Sequence, residues 1–262
     1  MRTLRPAAAI AVALFAATLA ACDGGSPEGT GDGVTPPVES ASASPAPADS
    51  PVPADAPPEC DDLLLASDTQ VSGQQLGDCM AAAMLAAGSG VHRVDSSDGT
   101  SSIVEFEWDP EFAMSIEGEQ RVVVRGDDGW LYAPETGWVK SDPSSGDPLV
   151  QQATTIVELV RVAGSPEVLA GLFATAPTWT LDDDLPVPAD DSVAESAWRL
   201  TPDDPLDLGG VELSDVELWL TPDYLGAYFV GTGTYGGVSV TTSNTFLEWG
   251  GAVDIPDPAA EG

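Results

Sequence analysis

The chain has 262 residues, 43 acidic against 8 basic, and a formal charge of −35. Phosphate backbones are bound by clustered Lys and Arg, so this balance excludes nucleic acid as a partner and sets the domain against anionic membrane surfaces. Such a charge keeps an exported domain soluble.

The N-terminus reads as an export signal. Arg2 and Arg5 precede an apolar run from Ala7 to Ala21, shorter than the roughly 20 apolar residues of a comfortable spanning helix. The run ends in Leu19-Ala20-Ala21-Cys22. That tetrapeptide resembles a bacterial lipobox, in which the cysteine becomes the new N-terminus and carries a diacylglycerol. Two acyl chains suit stable anchoring, because one chain binds only marginally. The expectation is a signal over 1–21, lipidation at Cys22, and a tether at the outer face of the cytoplasmic membrane.

Residues 22–58 combine the lipidated cysteine with a Pro/Ser/Ala-rich, acidic segment lacking aromatic residues. This is the composition of a disordered leash. At about 3.1 Å per residue its fully extended reach is roughly 110 Å. The folded domain is expected over 59–262. Cys60 and Cys79 are the cysteines left after Cys22, and in an oxidising compartment they predict one disulfide. Metal binding is the weaker alternative, since His92 is the sole histidine and no CxxC pair exists.

Periodicity orders the domain. Leu76, Met80, Ala83 and Ala87 predict a helix over 72–88, with Ser72 as cap and Gly88 as stop. Val104, Phe106 and Trp108 alternate with acids, and further strand patterns follow at 112–117, 120–125, 130–132 and 138–139. Residues 149–163 and 166–175 read as two helices, with Pro166 at a tolerated first position. The stretch 177–194 is acidic and proline-rich and is left without a regular element. Strand patterns resume at 198–200, 216–220, 225–232 and 235–247, and the end from Ala252 is irregular. Helix, strands, two helices, strands implies α+β with an antiparallel sheet.

Several segments in that order resemble actinobacterial lipoproteins related to LppX and LprG and, more distantly, the LolA/LolB carriers. They are Gly129-Trp130-Leu131-Tyr132 with Gly137-Trp138-Val139, the helical pair 149–175, Val216-Glu217-Leu218-Trp219-Leu220, Phe246-Leu247-Glu248-Trp249-Gly250, and Val253-Asp254-Ile255-Pro256 with Pro258. The resemblance spans about 72–258. It implies a strongly curved antiparallel β half-barrel wrapped around helices, and an apolar cavity for a lipid or other lipoidal ligand. The acidity, the Cys60–Cys79 pair and the polar run at 182–191 depart from that pattern.

No G-x-S-x-G elbow, P-loop or HExxH is present, so catalysis is not expected, and neither is a cofactor. His92, between Val91 and Arg93, reads as structural or surface. The expected cavity residues are Phe106, Trp108, Ile156, Val160, Leu169, Leu172, Phe173, Trp179, Trp198 and Trp219, although most residues of these types simply form core. Two functions follow: lipid binding or transport at the membrane, or an envelope sensor or adaptor that uses the fold to hold a protein partner.

Overall fold

The structure is a computed structural model that describes residues 56–260. The signal at 1–21, Cys22 and nearly all of the linker at 22–58 lie outside the described residues.

Three helices carry their own start signals. Ser72 accepts from Gln75 N at 3.1 Å and opens α1 (Gly73–Ala87), which stops at Gly88 with φ +79°. Asp147 caps α2 (Pro148–Ala163), and Ser165 caps α3 (Pro166–Phe173). Each of the last two begins on a proline, whose missing N–H costs nothing in a first turn.

Among the described residues thirteen strands form one antiparallel sheet. They are β1 (Gln70–Ser72), β2 (Ser89–Ser96), β3 (Ser101–Glu107), β4 (Ala113–Glu117), β5 (Val122–Arg125), β6 (Asp128–Ala133) and β7 (Gly137–Lys140), then β8 (Thr178–Pro186), β9 (Ser196–Pro202), β10 (Leu206–Leu208), β11 (Val211–Leu220), β12 (Gly226–Tyr235) and β13 (Val238–Trp249). The order is β1-β8-β9-β11-β12-β13-β2-β3-β4-β5-β6-β7, with β10 added alongside β11. The sheet is open: β1 and β7 are its two ends, and the architecture is α+β.

Period-two alternation sorts side chains between the two faces. One face meets the helices in two clusters. Leu76, Phe173, Trp179, Leu181, Leu200 and Leu218 belong to the cluster under α1 and α3. Val104, Val122, Val124, Leu131, Val157 and Val160 belong to the one under α2. The opposite face is covered by irregular chain. Val253 and Ile255 pack on Ala113, Val123 and Trp130, and Arg125 Nη1 donates to Ile255 O at 2.9 Å. Residues 187–194 lie over Trp219 and Ala227.

The segment 177–194 differs from the sequence expectation, because its first half is β8. Trp179 and Leu181 are fully buried while Thr178 and Thr180 point away, and the strand pairs with both β1 and β9. Asp182-Asp183-Asp184 falls where the pairing with β9 shifts register, and those acids mask the alternation before them.

The α1–α3 contact is unusually close. A Cβ on Gly77 would lie 2.5 Å from Ala170 O, and one on Gly73 would run into Phe173 O. Glycine at both positions lets the two backbones touch. On its other side α1 is joined to the segment before β1 by a disulfide between Cys60 and Cys79, with Cα atoms 4.6 Å apart.

Candidate functional site: an apolar cavity between sheet and helices

Between the two helix-side clusters lies a cavity of about 80 Å³. Met80 and Met84 of α1, Leu169, Leu172 and Phe173 of α3, and Ala163 and Gly164 at the end of α2 form its helical wall. The sheet wall comes from Leu218 of β11, Phe229 of β12, Asn244, Phe246 and Trp249 of β13, His92 of β2, Phe106 of β3 and Met114 of β4, with Trp108 just past β3.

Aromatic rings dominate the sheet wall. Phe106 lies 4.7 Å from Trp108 and 5.6 Å from Trp249 between ring centroids, and Trp249 stacks on Phe246 at 4.9 Å. The indole donors are satisfied by backbone: Trp108 Nε1 donates to Gly164 O at 2.9 Å, and Trp249 Nε1 donates to Gly226 O at 2.7 Å. The rings therefore turn their apolar surfaces to the cavity while their polar atoms are spent on its frame.

Five of the expected residues meet here: Phe106, Trp108, Leu169, Leu172 and Phe173. The other five are placed elsewhere. Ile156 and Val160 pack α2 onto the sheet. Trp179 sits behind α3, its Nε1 donating to Phe173 O at 3.1 Å and its ring edge-on to Phe173. Trp198 packs against the same cluster. Trp219 faces the other way, beneath residues 187–194.

Sequence reasoning missed His92, Asn244, Phe246 and Trp249 as wall residues. Phe246 and Trp249 are three apart, so strict alternation puts them on opposite faces. A register shift between Phe246 and Glu248 returns Trp249 to the cavity side. His92 lies opposite Phe246 across the β2–β13 pair, with its ring 5.3 Å from Phe246 and 5.6 Å from Phe106. Its Nδ1 is buried without a hydrogen-bond partner. Burial disfavours the imidazolium and lowers its pKa from 6.5 to about 4, so the ring is neutral at neutral pH.

Among the described residues no carboxylate, Lys or Arg lines the cavity. The basic side chains of the described residues are engaged elsewhere. Arg93 pairs with Asp95 and Asp191, Arg121 with Glu117, Lys140 with Asp128, Arg161 with Glu158, and Arg199 with Asp182 and Glu217. Arg125 holds the C-terminal segment. Among the described residues no cluster of His, Cys, Asp and Glu could hold a metal ion, and no helix is long and apolar enough to cross a membrane.

No protein-family model matches the chain, and no curated protein matches it. Among solved structures, a LolA superfamily protein from Nitrosomonas europaea is similar, at 10% identity over 71% of this chain and 96% of that one, with a TM-score of 0.31. A likeness at that level assigns neither family nor function.

Proposed function

We propose that the protein is an exported lipoprotein, tethered through Cys22 at the outer face of the cytoplasmic membrane, that holds a lipid or lipoidal molecule non-covalently and does no chemistry on it. The observation that carries this reading is the aromatic, uncharged cavity set where the sheet meets α1 and α3. The lipobox and the LppX/LprG-like segments support it, and the expected half-barrel curvature belongs to the same reading. Affinity would come from buried apolar area, at about 25 cal/mol per Å².

The cavity's size limits what enters it as it stands. At about 30 Å³ per water, 80 Å³ corresponds to roughly three waters, or a similar number of methylene groups. A longer chain needs α1 and α3 to move off the sheet. Their glycine contact makes them a single unit, and Gly164-Ser165 joins that unit to α2. The same small volume favours the alternative, an envelope sensor or adaptor that binds a protein partner while its cavity stays empty.

Two variants separate cavity from core. Leu172→Trp is expected to fill the cavity and weaken binding of the neutral fluorescent probe N-phenyl-1-naphthylamine by about tenfold, with the melting temperature nearly unchanged. Val160→Trp, away from the cavity, is expected to cost about 1–3 kcal/mol by overpacking and leave probe affinity intact. Full probe binding by Leu172→Trp, or an equal loss of stability in both variants, would contradict the reading.

A further inference from the structure

On the reading that the cavity is a binding site, one feature of its wall sets the class of ligand. His92 and Asn244 are polar residues in an otherwise apolar lining. They sit on adjacent strands, where His92 faces Phe246 and Asn244 faces Val94. That register makes them diagonal neighbours on one face of the sheet, within reach of a single group between them. Asn244 is buried and offers both a donor and an acceptor. Four buried side-chain N or O atoms lack a partner among the described residues, and of these only His92 Nδ1 belongs to a cavity residue. Both indole donors of the wall are spent on backbone, so His92 and Asn244 are the wall side chains left to hydrogen-bond a bound group.

We infer that His92 and Asn244 form a polar subsite, and that the ligand is an apolar molecule bearing one uncharged hydrogen-bonding group, such as an alcohol, ester or amide, rather than a carboxylate or phosphate. An anionic head would find no counter-charge. Among the described residues no cation lines the cavity and the basic side chains are engaged elsewhere, and the chain carries −35 overall. Burying an unpaired charge in such a wall is strongly unfavourable. The neutral imidazole agrees with this, since it gives one donor and one acceptor and no charge.

The test uses the full-length protein and three eight-carbon probes, 1-octanol, octanoate and octane, titrated calorimetrically in high salt to screen the surface charge. Octanol is expected to bind about tenfold more tightly than octanoate. His92→Phe keeps a ring against Phe106 and Phe246 and removes the polar atoms. It is expected to lower the octanol-to-octane affinity ratio by about fivefold, the worth of one net hydrogen bond. Octanoate binding as well as octanol, or the same octanol-to-octane ratio in wild type and variant, would overturn the subsite while leaving the cavity reading standing. Failure of all three probes to bind would overturn both. The wild-type preference among the probes decides the matter even if the variant does not fold.

Discussion

Trp179→Ala is expected to destabilise the domain by about 3–5 kcal/mol, the range for truncating a buried aromatic. Trp179 is 0% exposed, packs edge-on to Phe173 and ties the end of α3 to β8 through Phe173 O. Truncation opens a void under the helix and leaves that carbonyl without its donor. In a domain of this size, on the order of 10 °C should be lost from the melting temperature. Because the ring is core and does not line the cavity, the loss should be the same with and without a neutral apolar probe present. A small shift, or a shift that the probe reverses, would place Trp179 at the ligand instead. Calorimetric melting of both proteins checks this.

The second large effect is a pH dependence carried by His92. Its pKa in the fold is about 4, below the ordinary 6.5. Between those values the unfolded chain takes up a proton that the folded chain refuses. Stability therefore falls as pH is lowered through that window, by up to about 3 kcal/mol, and levels off below pH 4. Glu105 acts in the opposite sense: burial, then the Asp254 charge, raise its pKa, so its protonation favours the fold as pH falls. Relief of repulsion among the many surface carboxylates has the same sign. The difference between wild type and His92→Phe cancels both contributions. Denaturant unfolding of the pair across this range is expected to give curves that diverge from pH 6.5 downward, the variant losing less. Parallel curves would show that His92 is not held neutral by burial.

The helices were legible from their apolar spacing, and for two of them from a start signal: Ser72 and Pro166 mark starts that the structure uses. The caps Asp147 and Ser165 emerge only from the structure. Strand alternation was legible wherever acids occupied the positions between the buried residues, as at Glu105 and Glu107. It failed at β8, where three consecutive acids follow only two inward residues. The cavity was harder to read for a different reason. Alternation states that Leu218 and Trp219 face opposite ways, but not which side receives the helices. That depends on where residues 187–194 and the C-terminal segment lie. His92 carried no local signal, because its setting is built by Phe106 and Phe246 from two other strands. Trp249 reached the wall only through an irregularity of pairing that single-strand periodicity does not contain.

Whether the cavity holds a lipoidal molecule is decided by mass spectrometry of an organic extract of the purified full-length protein. Extraction releases what is bound non-covalently and leaves any acyl group on Cys22 attached to the chain. A near-stoichiometric, uncharged lipoidal species is expected from the wild type, strongly depleted from Leu172→Trp. An extract with no such species, or with equal amounts from both proteins, would contradict lipid binding in the cavity.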